Sequence, residues 1–398
     1  MSDASDSPAA PGAGGHGQRA LRVGLNLVFL GERAGGAGRY ASELPAALLA
    51  AEPDTEVHVF VSRDAPAALR ESDWAAHVQW VTLPVGLSGP PLHVLAQFAA
   101  LPVLAKARGL DVLHSPANTG PAIAPGVASI VSLLDLIWLH HGEEWESSPQ
   151  VQRRMAVLVR HCLRHADRVF AISEAAADDF VRTLNVSRER IDVTPLGVSP
   201  PSTPPSAAAD LRERFGLADA RILLCVAQKR PYKNLHTLVQ ALPKLPGDVI
   251  LVLPGSPTDY EVELRERATQ LGVSDRVRFP DWLSDADLEG LYALAEAFVL
   301  PSLIEGFGIP VLEAMIRGVP VACANVAALP EVVGNAALLF DPRNQNEVTQ
   351  AAGRLLEDRQ LADRLRKQGY DRARKFTWQR TGAASLRGYR RAISQRRA

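Results

Sequence analysis

The chain has 398 residues, 47% of them hydrophobic, which is enough for two ordinary domain cores. Its formal net charge of -1 excludes the broad basic surplus of a general nucleic-acid binder. Cys162, Cys225 and Cys323 lie far apart in apolar runs, so they read as buried thiols of a reducing compartment rather than as a disulfide or metal set.

Residues 1–20 are rich in Ser, Ala, Pro and Gly and lack the basic start and apolar run of a signal peptide, so they read as a disordered leader. No apolar stretch reaches the ~20 residues that span a bilayer. The expectation is a cytoplasmic protein, with peripheral contact at the inner membrane face left open. From there on, short apolar runs alternate with amphipathic helical stretches. Runs at 22–28, 57–62, 78–83, 111–115, 128–134, 168–173 and 191–194 are mostly rich in Val, Ile and Leu, as strands buried on both faces of a parallel sheet are. Ser199-Pro-Pro-Ser-Thr-Pro-Pro-Ser206 then reads as linker. The alternation restarts at 221–227, 248–254, 276–279, 297–300, 319–323 and 337–340. Two β/α series about one linker predict an α/β protein of two Rossmann-like, doubly wound domains, each with a site at its strand C-termini. The expected bounds are 21–197, a linker over 198–210, and 211–375.

In the first series, Gly36-Ala-Gly-Arg-Tyr-Ala41 has the form G-x-G-x-x-A. Phe29-Leu-Gly-Glu-Arg-Ala-Gly35 separates it from the strand, whereas a dinucleotide turn follows its strand at once, so an NAD oxidoreductase is disfavoured. Asn118 and Thr119 end a strand where a cleft is expected and are candidate acceptor contacts. His140 and His141 are adjacent and would diverge, a poor metal pair. A helix predicted over Val151–Ala166 places Val151, Met155, Leu158, Val159, Cys162 and Leu163 on one face. Arg153, Arg154, Arg160, His161 and Arg164 fall largely on the other, either a solvated basic face or one drawn to an anionic acceptor or lipid surface. Ser173 stands where a helix follows a strand and reads as its cap.

In the second series, Cys225-Val-Ala-Gln-Lys-Arg-Pro-Tyr-Lys-Asn-Leu235 follows the first strand. Arg230 and Lys233 are cations fixed near a helix start, candidates for stabilising negative charge on a ligand. Asp285-Ala-Asp287 has the form of a metal-binding D-x-D, but Ser284 three residues before Asp287 reads as a helix cap, and no metal or cofactor is expected. The most informative stretch is Leu300-Pro-Ser-Leu-Ile-Glu-Gly-Phe-Gly-Ile-Pro-Val-Leu-Glu-Ala-Met315. A strand ends, a glycine-punctuated loop follows, and Pro310 suits the first turn of a helix whose free N–H groups favour an anion. Glu305 and Glu313 can accept hydrogen bonds from the hydroxyls of one polar ligand.

Glu305 and Glu313, seven residues apart with Gly-Phe-Gly-Ile-Pro between them, resemble the E-x7-E signature of the family 4 retaining glycosyltransferases with the GT-B fold. Gly318-Val-Pro-Val321, Leu329-Pro-Glu-Val-Val-Gly334 and Phe340-Asp-Pro342 continue the pattern, and the resemblance runs from about Val23 to Ala392. It implies two domains facing across a cleft, with a C-terminal helix over 376–398 crossing toward the N-terminal domain. It also implies a UDP-, GDP- or dTDP-linked sugar as donor and a hydroxyl acceptor: saccharide, lipid-linked or small metabolite. By resemblance Glu305, Arg230 and Lys233 are catalytic, Glu313 takes the ribose, and Gly306, Phe307, Gly308 and Ile309 form the donor loop. Gly36 and Gly38 approach the phosphates across the cleft, while Arg39 and Tyr40 either face acceptor or phosphate or merely pack. Trp282 and Leu283 cover the base, with core packing of Trp282 the competing reading. Two departures stand out. Tyr232 occupies the place where many relatives carry the arginine. Leu134, in Val131-Ser-Leu-Leu-Asp-Leu136, replaces a histidine that usually faces the donor sugar, which tilts donor choice toward 6-deoxy sugars and puts the copied role in doubt; His140 or His141 could compensate. Asp135 matches the family as a structural acceptor. An epimerase on the same scaffold and a non-catalytic nucleotide-sugar binder are the alternative classes.

Overall fold

The computed structural model describes residues 19–31, 35–86, 95–121, 123–141 and 148–397. Most of the expected leader, and residues 32–34 of the stretch before Gly35, lie outside the described residues. Every apolar run forms a strand. The first series gives β1 (Arg22–Asn26), β2 (Glu56–Ser62), β3 (Gln79–Leu83), β4 (Val112–Ser115), β5 (Ala128–Leu133), β6 (Arg168–Ala171) and β7 (Ile191–Val193). The second gives β8 (Arg221–Leu224), β9 (Val249–Val252), β10 (Val277–Arg278), β11 (Ala295–Leu300), β12 (Val321–Ala324) and β13 (Leu338–Phe340). Most of their residues are buried, and β4, β5, β6, β9 and β12 are buried along their whole length, which is why they read as continuous apolar runs.

The strands pair in parallel as two sheets, β3-β2-β1-β4-β5-β6-β7 and β10-β9-β8-β11-β12-β13. These are two Rossmann-like halves, as expected. In each, strand order reverses between the first and fourth strand, β1/β4 and β8/β11. At such a switch point the following loops splay apart and leave a crevice. Several predicted strands overran at their C-terminal ends, because the apolar run continues into those crevice loops: Leu27 and Val28 are buried beyond β1; others, such as β4 and β12, begin one or two residues later than predicted. β11 starts two residues earlier than predicted, with a register shift between Ala295 and Ala297 that accommodates Glu296.

Eight helices matter for the site. They are α1 (Gly35–Ala51), α2 (Pro149–His165), α3 (Glu174–Leu184), α4 (Asp285–Leu294), α5 (Ile309–Ile316), α6 (Leu329–Val333), α7 (Arg359–Ala373) and α8 (Trp378–Arg397). On α2 the predicted face is wrong at its edge. Ala156, Val159, Cys162 and Leu163 are buried, but Val151 and Met155 are exposed, because only the later turns pack into the core beside β5 and β6. The linker ends sooner than expected, in a short helix over Ala208–Arg214. α8 does return to the first half. Gly382 lies so close to the Ala47 carbonyl that no side chain fits, Tyr389 hydrogen-bonds His114 at 2.7 Å, and Thr381 donates to the Pro195 carbonyl at 2.7 Å. No helix among the described residues is long and apolar enough to cross a membrane.

Candidate active site

The loop after β8 and the loop after β11 are tied together. Asn234, in the left-handed region at φ 59°, donates to the carbonyls of Pro301 (3.0 Å) and Pro342 (2.8 Å), and the Leu303 N–H reaches the Tyr232 carbonyl at 2.8 Å. This frame brings Lys233 Nζ to 2.7 Å from Glu305 Oε1, which also accepts from Ser302 Oγ at 2.7 Å. Burial works against the Lys233 ammonium, but Glu305 outweighs it and holds the lysine above its ordinary value. Glu305 is 8% exposed and Lys233 is largely buried with it, so the pair is shielded from water. Arg230 lies partly buried three residues before Lys233, at the start of the one-turn helix Pro231–Lys233. Tyr232, where relatives carry arginine, is buried.

Past Glu305, Gly306 is pressed against the first half. A Cβ there would sit 3.0 Å from Asp135 Cβ and 3.1 Å from the Leu134 carbonyl oxygen. Gly308 (φ 101°) turns the chain into α5, and a Cβ there would meet Leu329 at 2.6 Å. Phe307, expected in the donor loop, is corrected: its ring is buried edge-on against Phe376, 5.8 Å between centroids, so only its backbone belongs to the loop. One turn into α5, Glu313 faces the cleft and accepts from the buried Tyr292 hydroxyl at 3.2 Å.

The cleft between the halves encloses about 620 Å³. Gly35, Gly36, Gly38 and Arg39 at the start of α1 form one wall; Gly255, Trp282, Leu283, Asp285, Ile309 and Glu313 form the other. The site of a Gly36 side chain is open space, with no atom within 4 Å. Trp282 is 60% exposed at the rim, which overturns its core-packing reading. Arg39 is exposed and pairs with Glu43 at 3.1 Å. Tyr40 merely packs: it is fully buried, bonded to Ser132 at 3.0 Å, and burial pushes its hydroxyl up to about 12. Asn118 is spent on structure, accepting the Leu134 N–H at 3.0 Å, and Thr119 lies partly buried beside it. Leu134 buries its side chain in the apolar core at 8% exposure and turns its carbonyl toward Gly306.

A second cavity of about 420 Å³ reaches Glu305 from the other side, between α3 and the Glu305–Gly306 turn. Asp135, His140 and Asp179 line it, and His140 Nε2 binds Asp179 at 2.9 Å. Asp135 accepts the Ile137 N–H at 3.1 Å; burial raises its carboxyl to about 6. The histidine pair diverges as expected, with the His141 ring 6.5 Å from that of Tyr232. Ser284 caps α4 by accepting the Asp287 N–H at 3.2 Å, and the Asp287 carboxylate is taken by Ser206 and Arg214, both at 2.7 Å. Among the described residues no group of three or more His, Cys, Asp or Glu could hold a metal ion.

Residues 209–372 match the family model for glycosyl transferases group 1, and residues 35–197 match the glycosyl transferase 4-like domain. The chain belongs to this glycosyltransferase family. It is 32% identical over 247 residues to O-antigen chain mannosyltransferase B of Escherichia coli, a stretch covering 60% of this chain and 64% of that one. The chain thus spans under two thirds of that relative. In fold it is similar to sucrose-phosphate synthase from Thermosynechococcus elongatus, with TM-score 0.75 at 24% identity over 94% of this chain and 100% of that one. It is also similar to Anabaena HepE in complex with UDP and glucose, with TM-score 0.70 at 22% identity over 95% and 99% of the two chains.

Two residues of this family member carry structure that the sequence did not announce. Lys229, beside Arg230, is wholly buried, pairs with Glu261 at 3.0 Å and donates to the Gly255 and Pro280 carbonyls, bracing the cleft floor. Desolvation lowers its ammonium despite Glu261. Glu331 binds the N-terminus of α3 in the other half. Lysine and glutamate are usually surface residues, so neither carried a signal before the fold was known.

Proposed function

We propose that this chain is a retaining glycosyltransferase that moves a hexosyl group from a nucleotide-sugar to a hydroxyl acceptor. The observation that carries the reading is that one glycine loop presents two carboxylates to two adjoining cavities. Glu305, paired with Lys233, lines the smaller one, and Glu313 lines the larger one with Trp282 and Leu283. Glu313 then accepts from the ribose hydroxyls, and Trp282 and Leu283 cover the base. Arg230, Lys233 and the open glycine wall of α1 receive the diphosphate, where fixed donors stabilise the charge that grows as the sugar leaves. Both hydrogen bonds to Glu305 fall on Oε1, which leaves Oε2 to accept from sugar hydroxyls. The family resemblance implies front-face attack through an oxocarbenium-like state, with the departing phosphate taking the acceptor proton.

The named relative supports a mannose-type donor, and the HepE complex supports a nucleoside diphosphate in this kind of cleft. The tilt toward 6-deoxy sugars required the Leu134 side chain at the sugar. That side chain is in the core, so the reading returns to ordinary hexoses. The two fixed cations take the place of a metal. For location we propose the cytoplasm, with peripheral contact through α2. Its outward face carries Arg153, Arg154, Arg160 and Arg164 around exposed Val157, and the helix has no acidic residue.

Thermal-shift titration against UDP-, GDP- and dTDP-sugars, followed by a transfer assay with and without EDTA, tests the reading. Glu313→Gln should raise the nucleotide Kd about tenfold, the worth of one hydrogen bond to a charged group, with the fold intact. An unchanged Kd removes the ribose assignment. Stabilisation without turnover would favour the binding-protein class. Turnover lost in EDTA and restored by magnesium would reopen Asp285 and Asp287.

A further inference from the structure

The N-terminus of α3 is completed by the other half of the molecule. Ser173 caps it locally, its Oγ accepting the Ala176 N–H at 3.0 Å. The two free amides ahead of that point, Glu174 N–H and Ala175 N–H, both go to the Glu331 carboxylate, at 3.0–3.2 Å, from 157 and 156 residues away in sequence. Ser173 crosses the cleft as well: its hydroxyl donates to the Gly306 carbonyl at 2.9 Å. Gly306 is thereby held on both sides by the first half, by Ser173 after β6 and by Leu134–Asp135 after β5. Glu305 is the next residue back along the chain.

Glu331 is anchored from behind. Arg372, near the end of α7, donates to the Glu331 carbonyl at 2.6 Å and to the Val332 carbonyl at 2.8 Å. The Arg372 guanidinium lies 5.0 Å from the centre of the Phe376 ring, and the Phe376 carbonyl accepts the Val198 N–H at 3.0 Å where the chain passes between the halves. A charged group on an exposed rim, bound to the positive end of a helix, makes a contact strong enough to bias closure yet weak enough to release.

We propose that Glu331 and Ser173 form a clasp that sets the closed arrangement of the two halves and, through Gly306, the position of Glu305. Glu331 is thus a positioning residue, not a catalytic one. Its relevance to turnover rests on the function proposed above; its effect on shape does not.

The test is Glu331→Lys, which sets a cation against the helix terminus, with Glu331→Gln as the conservative variant that keeps one accepting oxygen. Glu331 lies outside both cavities, so Glu331→Lys should leave the nucleotide Kd within about twofold and lower kcat about fivefold or more, the factor for a contact of one to two kcal/mol. Glu331→Gln should fall between it and wild type. Small-angle scattering of the nucleotide-free proteins should give a larger radius of gyration for Glu331→Lys, with melting temperature little changed because the contact is at the rim. A radius identical to wild type overturns the clasp. So does a loss of kcat that Glu331→Gln shares in full. Wild type that binds no nucleotide would sink the proposed function alone, since the scattering comparison still decides the clasp.

Discussion

Glu305, Glu313 and Asp135 are three carboxyl groups around one crevice, and their surroundings set different jobs. Glu305 is locked in a buried pair with Lys233, and removing either partner would strand the other charge at a cost of about 3–5 kcal/mol. Activity losses on mutating that pair therefore mix with stability losses, which makes Glu313 the cleaner probe. Asp135 is raised to about 6 chiefly by burial; Glu305 and Asp179 add to the rise, while the Ile137 N–H and Lys233 oppose it. Its folded state holds the proton more tightly than an unfolded chain, in which an aspartate titrates near ~4. Its contribution to stability is present below that value and is lost as pH rises through about 6. Asp135→Asn keeps the neutral form at every pH, so its melting temperature should gain on wild type from pH ~4 to ~6 and then run parallel. A difference that stays flat across that window would show that Asp135 is not held in the protonated form. Residue types made these groups visible in advance. The aromatics were harder: Tyr40, Phe307 and Trp282 look alike as apolar bulk, and only packing sends the first two inward and leaves the third on the rim.

At the level of elements, the two glycine-bearing loops do opposite work. The α1 start is open: Gly36 has nothing near its missing side chain, so the helix terminus faces the cavity. The turn into α5 is closed: Gly308 is at φ 101° and has Leu329 where a side chain would go. Gly36→Val should leave the melting temperature nearly unchanged and abolish nucleotide binding by filling the phosphate approach. Gly308→Ala should cost about 1–3 kcal/mol of stability from backbone strain and crowding. Thermal melts with and without nucleotide separate the two outcomes, and a Gly36→Val protein that binds as well as wild type would move the phosphates elsewhere. The helices show where periodicity stops. The apolar stripe of α2 was legible, but not that its first turns overhang the core, because a stripe gives the direction of a face and not the length of its partner.

For the molecule as a whole, α8 is the strap. It leaves the second half at Phe376 and packs along α1, whose N-terminus forms the cleft wall, so the strap bears on the phosphate approach. Gly382→Val would force a side chain into the Ala47 backbone. It should lower the melting temperature and weaken nucleotide binding together, although residue 382 lies outside the cleft. Calorimetry and nucleotide titration of that variant check this, and a fall in stability with binding untouched would separate the strap from the site. The sequence by itself determined both sheets, the strand order of burial and the glutamate-bearing loop, because continuous apolar runs, glycine turns and the first-turn Pro310 are local facts that each sheet merely collects. Tertiary structure alone decided which side chains meet: Glu331 with α3, Lys229 with Glu261, Gly306 with Leu134 and Asp135. Those contacts join segments from 32 to 172 residues apart; Lys229 with Glu261 depends on packing within the second half, and the others depend on how the two sheets face each other, which no local run of residues encodes.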